Sequence, residues 1–193
     1  MTNAALLRRG LRLEYATLGW NVVGTVVVVS AAVAARSVAL AGFGLDSLIE
    51  IFASVVVVWQ LTGADQGRER RALRLIGGAF FLLALYILGQ TAYTLLARTH
   101  PAPSMGGIVW LAATLAAMLL LSRGKQITGR RLGNAVLMTE AHVTLIDARL
   151  AAAVLVGLVL NALAGWWWAD PLAGLVIVYY GLKEGRTAWR GEE

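Results

Sequence analysis

The sequence has no cysteine, and it has few histidines, prolines and charged residues. Without cysteine the chain forms no disulfide, holds no thiolate-bound metal and has no cysteine nucleophile. Charged residues make up 15% of its 193 positions and hydrophobic residues 59%, whereas soluble domains are about a quarter charged. This composition argues against an ordinary soluble enzyme, and it is equally far from the low hydrophobicity that disorder requires.

What the chain does have is a series of long apolar runs. A helix that crosses a bilayer needs about 20 mostly apolar residues, and six segments meet or approach that length. We therefore predict an all-α, polytopic membrane protein whose single transmembrane domain covers residues 1–193, with no soluble C-terminal domain. The six predicted helices cover approximately residues 16–35, 40–61, 75–97, 105–121, 135–163 and 166–182.

The distribution of basic residues predicts the orientation of these helices. The net charge is +6, and most Arg and Lys residues lie before helix one, between helices two and three, between helices four and five, and after helix six. The alternate connections hold only Arg36 and Arg98. The positive-inside rule then places both termini in the cytoplasm of a multi-pass protein, which we expect in the cell membrane. The basic excess is explained by topology, so we expect no nucleic-acid partner.

Several ionisable residues interrupt the apolar runs. A charged group inside a bilayer costs about 2.5–3.5 kcal/mol on insertion scales, so such residues are by default candidates for function. Two lie in predicted helix two and four in predicted helix five. They are Asp46, Glu50, Glu140, His142, Asp147 and Arg149.

The spacing of the acids brings them to common helix faces and to a common depth. Asp46 and Glu50 are four residues apart, and Glu140 and Asp147 are seven apart, so each pair shares one face. At about 1.5 Å per residue from the cytoplasmic ends, Asp46 lies at ~22 Å, Glu50 at ~16 Å, Asp147 at ~18 Å and Glu140 at ~8 Å. Two helices therefore deliver three carboxylates to one level near the midplane.

Carboxylates held this close repel one another, and one of them takes a proton unless a cation intervenes. A divalent metal resolves the repulsion, because oxygen donors suit Mn, Mg or Ca and also accept Zn. We predict Asp46, Glu50 and Asp147 as metal ligands, with Glu140 at the inner mouth as a further candidate. Competition between metal and protons for the same oxygens would give antiport.

The basic and imidazole side chains of helix five have other predicted roles. Arg149 is the only basic side chain at the depth of the acids, and we predict that it forms an ion pair with Asp147 or Asp46. It neutralises one acid and leaves the others unbalanced. His142 is a candidate ligand, but the sequence slightly favours an interior histidine with a hydrogen bond or one that faces the inner mouth.

The stretch Gly42-Phe-Gly-Leu-Asp46-Ser-Leu-Ile-Glu50 resembles helix two of the cation diffusion facilitator family, which carries an acid, a serine, two apolar residues and a second acid. In helix five, Glu140 resembles the family's first acid and Asp147 its last. The family's histidine falls on Val143, beside His142. The resemblance continues through Trp168-Ala-Asp170-Pro171 into helix six and covers most of the chain.

The resemblance implies a homodimeric, proton-coupled exporter that loads a divalent metal from the cytoplasm. It implies a short form that consists of the membrane domain alone. The transported ion would belong to the Zn, Mn, Fe or Co class, and no cofactor would be bound permanently. Because the histidine is displaced, the pattern favours oxygen-rich coordination over a zinc preference.

Three other functions fit parts of the pattern. A proton-coupled carrier or channel for another cation would use the acids as a proton relay. An intramembrane enzyme would need a nucleophile or an acid–base pair, and no Ser–His, His–Glu–His or cysteine constellation is present, so we expect no enzyme activity. A membrane interaction protein would have no use for three acids at the midplane.

Overall fold

Six α-helices follow one another along the chain in a computed structural model, which describes the backbone of residues 3–61 and 67–190. Side chains are described for the same residues except 3, 53–61, 67–70, 72, 135, 136 and 139. The helices are α1 Asn3–Ala35, α2 Val38–Leu61, α3 Gly67–Leu96, α4 Met105–Leu132, α5 Ala135–Ala164 and α6 Ala169–Arg190.

The helix ends follow local signals in the sequence. Ser104 caps α4 by accepting a hydrogen bond from the Gly107 N–H at 3.2 Å, and Asn134 caps α5 in the same way. Gly133 and Gly165 end α4 and α5 with φ of 62° and 66°, in the left-handed region that glycine adopts without strain. These signals explain why the connections after α4 and α5 are short.

α4 differs from its prediction. The apolar run ends near Leu121, but the helix continues to Leu132 and includes Arg123 and Lys125, which the sequence had suggested to be loop residues. A hydropathy threshold finds where apolar side chains stop, whereas helix formation continues as long as backbone hydrogen bonds and packing support it. α1, α3 and α6 extend beyond their apolar runs in the same manner.

α2 and α5 each have contacts on several sides. α2 packs against α1, α3, α5 and α6, and α5 packs against α4, α6 and α2, while α3 also packs against α6 and α1 against α4. Half of the most apolar window of α5 is buried, against 28% for the corresponding windows of α1, α3 and α4. Among the described residues, the completely buried apolar side chains larger than valine come from five helices: Leu40, Ile87, Leu111, Met118, Leu150, Leu158 and Ile177.

The outside of the bundle is apolar. Val33, Leu85, Leu120 and Leu163 are each at least two thirds exposed, which is unfavourable in water but suits a hydrocarbon solvent. Within the described ranges, four helices are long and apolar enough to cross a membrane: Ala4–Ala35, Leu73–Leu96, Met105–Leu132 and Glu140–Ala164.

Small residues let neighbouring helices approach closely. A Cβ on Gly77 of α3 would lie 2.9 Å from the carbonyl oxygen of Gly185 on α6, and one on Gly157 of α5 would lie 2.9 Å from that of Ala169. Helices in lipid associate through such close backbone contacts, because the hydrophobic effect gives them little attraction for one another.

Asp170 connects the start of α6 to the start of α2. Its carboxylate is completely buried and accepts hydrogen bonds from the Ser37 hydroxyl and from the N–H groups of Val38 (2.9 Å) and Ala39 (3.4 Å). An Asp–Pro pair commonly marks the first residues of a helix, but α6 already begins at Ala169. The carboxylate instead caps α2, and so fixes the end of the helix that carries Asp46 and Glu50.

We expect Asp170→Ala to lower the free energy of unfolding by at least about 2 kcal/mol, because it leaves buried donors of α2 without an acceptor. Asp170→Asn keeps one acceptor oxygen, so its free energy of unfolding should lie between those of the wild type and Asp170→Ala. Thermal unfolding in detergent measures the loss, with Leu172→Ala, an exposed position of the same helix, as the control. A loss for Asp170→Ala no larger than that of the control would contradict this role.

Candidate metal centre

α2 and α5 bring three carboxyl groups together, as the sequence predicted. Asp46 and Glu50 lie one turn apart on α2, and Asp147 faces them from α5. One oxygen from each residue lies within 4.8 Å of the others. Asp46 and Asp147 are each 7% exposed. We call Asp46, Glu50 and Asp147 the carboxylate trio.

The trio fits a single metal ion. Metal–oxygen bonds of about 2.0–2.6 Å place ligand oxygens at most about 4–5 Å apart, and the trio oxygens already lie at that separation. The Glu50 and Asp147 carboxyl groups are close enough to share a hydrogen bond, which requires one proton between them. The same oxygens therefore suit either a proton or a cation.

Asn21 of α1 holds Glu50 in place. Its Nδ2 donates a hydrogen bond to Glu50 Oε2 at 2.9 Å. This bond makes Asn21 a direct partner of the trio. An amide donor beside a ligand carboxylate orients that ligand, as outer partners commonly do at metal sites.

A second polar layer lies toward the amino-terminal ends of α1 and α5. Lys125 of α4 is completely buried, and its Nζ lies 2.8 Å from Glu14 Oε2 and 3.8 Å from Glu140 Oε2. It also donates a hydrogen bond to the Thr144 hydroxyl at 3.1 Å. We call Glu14, Lys125, Glu140 and Thr144 the lysine layer.

The lysine layer and the trio are stacked along the same helix faces. Glu14 and Asn21 on α1 are seven residues apart, and so are Glu140 and Asp147 on α5. Seven residues are about two helical turns and about 10 Å of rise. Glu140 therefore belongs to the lysine layer, and the structure does not bring it into the trio.

The sequence does not predict the lysine layer. Glu14 lies before predicted helix one, and Lys125 lies in the predicted connection between helices four and five. A signal was present, because Glu14 and Asn21 repeat the seven-residue spacing of Glu140 and Asp147. Recognising it would have required knowing that α4 continues past Leu121.

His142 and Arg149 point away from both layers. Both are exposed on α5, and they are seven residues apart on a face of their own. His142 precedes Asp147 by five residues, which turns it about 140° from that side chain. Val143, the position of the family's histidine in the resemblance, is 39% exposed. Neither position contributes a ligand atom to the trio.

The predicted ion pair of Arg149 is wrong. Among the residues that the structure describes, the ion pairs join Lys125 to Glu14 and to Glu140, and Arg149 takes part in neither. Arg149 lies only two positions from Asp147, and two residues along a helix turn the side chain by about 200°. The prediction rested on depth alone, and depth does not determine direction.

Comparison with known proteins gives a distant relative. No protein-family model matches the chain. The chain is similar to Transmembrane protein 163 of Xenopus laevis, with 23% identity over 187 residues, 91% of this chain and 66% of that protein. The chain thus spans just under two thirds of the length of this relative.

The chain is a membrane protein. The similarity covers nearly its whole length, and four of its helices have the length and hydropathy of membrane spans. The name of the relative specifies no ion or activity, so the function of the trio has to be argued from its chemistry.

We expect Asn21→Ala to weaken divalent-metal binding by about 10- to 100-fold, the usual cost of losing a partner that orients a ligand. Calorimetric titration of the purified protein with Mn²⁺ measures the affinity. Thr25→Ala is the matched control, because Thr25 lies one turn further along α1 and its hydroxyl donates to the Asn21 carbonyl oxygen rather than to the trio. Equal affinities in the two variants would show that Asn21 does not support the trio.

Proposed function

We propose that the protein transports divalent metal cations across a membrane, as a member of the cation diffusion facilitator family. The main support is the convergence of Asp46, Glu50 and Asp147 inside a helical bundle with an apolar exterior. One oxygen of each residue lies within 4.8 Å of the others. Three ionised carboxylates in lipid repel one another strongly, and a doubly charged ion offsets two of their three charges.

The same oxygens provide coupling to protons. Metal binding requires deprotonated carboxylates, so an arriving ion displaces protons and a returning proton displaces the ion. If the ion arrives from the cytoplasm and the protons from the opposite side, the cycle is efflux by antiport. In this proposal the protein acts as a carrier and catalyses no covalent reaction.

The proposed topology has six transmembrane helices with both termini in the cytoplasm, in the cell membrane. It follows from the basic residues at the N-terminus and in alternate connections. The family resemblance also implies that two copies of the chain form a homodimer. α2 and α6 complete the set of six, since α2 carries two of the three trio acids and α6 packs along α3 and α5.

We expect Asp46→Ala, Glu50→Ala and Asp147→Ala each to abolish metal uptake and metal-dependent proton release in proteoliposomes. Removing one carboxylate takes away both a ligand and the charge that balances the ion. His142→Ala, outside the trio on the same helix as Asp147, is the control and should keep nearly full activity.

Normal elution in size-exclusion chromatography shows that each variant has folded. Wild-type transport in the Asp46 and Glu50 variants would reject the site. Proton flux without metal dependence would instead favour a carrier or channel for another cation, with the acids as a relay.

The donor set predicts the ion. The described trio offers carboxylate oxygens, and His142 is exposed elsewhere on α5. Hard, oxygen-preferring ions suit such a site better than ions that favour nitrogen or sulfur. In a panel of Mn, Fe, Co, Zn and Cd at fixed pH, we expect Mn²⁺ to be transported at a rate at least equal to that of Zn²⁺. Transport of zinc alone would contradict an oxygen-only site.

A further inference from the structure

Lys125 is a completely buried cation in a bundle that we propose to carry cations. Its ammonium contacts three groups from two other helices: Glu14 of α1, and Glu140 and Thr144 of α5. Lys125 itself belongs to α4. One side chain therefore ties together the three helices that surround the approach to Asp147.

The order of these groups along α5 places Lys125 between water and the trio. Glu140 is 46% exposed and Glu14 is 35% exposed, whereas Lys125 and Thr144 are buried. Glu140, Thr144 and Asp147 follow one another at four- and three-residue intervals on one face. An ion moving inward along this face meets the Lys125 ammonium before it reaches Asp147.

The pair with Glu14 is only partly satisfied. Glu14 Oε2 accepts from Lys125 at 2.8 Å, but Oε1 is buried and has no hydrogen-bond partner among the described residues. A buried ion pair with an unsatisfied oxygen recovers only part of its desolvation cost. The Lys125–Glu14 contact holds α4 against α1. When it breaks, water can hydrate both charged groups again.

We propose that Lys125 is a tethered cation that blocks access to the trio from the membrane face on which α1 begins. This rests on the proposed function. While the ammonium bridges Glu14 and Glu140, it offsets one of their two negative charges and repels any cation that approaches. Loading from this face requires the ammonium to leave Glu14. This frees the part of α1 that precedes the Trp20–Thr114 hydrogen bond between α1 and α4, and it exposes Thr17, one turn deeper on α1.

The absence of cysteine makes the test direct, because a single introduced thiol reports alone. Thr17 is 9% exposed, and its hydroxyl donates a hydrogen bond to the Leu13 carbonyl oxygen of its own helix. In the Thr17→Cys background, we would measure the rate of labelling by a small cationic methanethiosulfonate reagent in nanodiscs. Adding Glu14→Gln should raise that rate by about tenfold or more, because it removes the charge that holds Lys125.

Two further variants separate charge from packing. Lys125→Arg keeps the cation and should label as slowly as the background. Arg123→Gln is the matched control, because Arg123 is an exposed cation two residues away on α4, and it should leave the rate unchanged. If the Glu14→Gln variant and the background are labelled at equal rates, the proposed closure is wrong. It is also wrong if Arg123→Gln accelerates labelling as much as Glu14→Gln does.

The labelling rate requires neither metal nor transport, so it is independent of the proposed function. Mn²⁺ titration of the same proteins provides the second readout. If Mn²⁺ binds normally but Glu14→Gln labels at the background rate, the closure is wrong and the metal site stands. If labelling accelerates but no protein binds a divalent ion, the metal transport proposal fails and the Lys125 contact remains a closure of the bundle.

Discussion

Mutual repulsion between carboxylates in a medium of low dielectric constant is the constraint on which this structure depends. Coulomb energy between unit charges a few ångströms apart is about 1 kcal/mol in water and several times larger near or inside a protein. Three acids within 4.8 Å therefore destabilise the bundle unless a proton or cation is shared among them. A site of this kind is unstable when left ionised and alone, and this is why exchange of one positive species for another suits it.

The rest of the bundle holds the acids at this separation. α5 supplies Asp147 and packs against α4, α6 and α2, so its position is fixed by contacts on several sides. α2 supplies Asp46 and Glu50, and its first turn is held by the buried carboxylate of Asp170. Close packing at Gly157 brings α6 against α5. Repulsion between the trio acids is opposed by contacts at the far ends of the same helices.

The trio was predictable from sequence because its signals are local. Spacings of four and seven residues fix which side chains share a helix face, and rise per residue fixes depth. Neither quantity fixes how a helix is rotated relative to its neighbours. For this reason the convergence of Asp46, Glu50 and Asp147 was predicted correctly, whereas the pairing of Arg149 was wrong.

The length of α4 was underestimated for a different reason. Hydropathy detects the segment that lipid surrounds, but the last three turns of α4 carry basic residues around a buried lysine. A lysine near the end of an apolar run looks like a solvated charge in sequence. Only the helices that pack around it show that Lys125 is interior, and those long-range contacts leave no local pattern.

α1 supplies a partner to each polar layer: Glu14 contacts Lys125, and Asn21 contacts Glu50. Two side chains on one rigid helix cannot move independently along its axis. A slide of α1 by a single residue, about 1.5 Å, would displace both contacts at once. A movement of α1 along its axis is therefore transmitted directly from the partly exposed lysine layer to the buried acids of the trio.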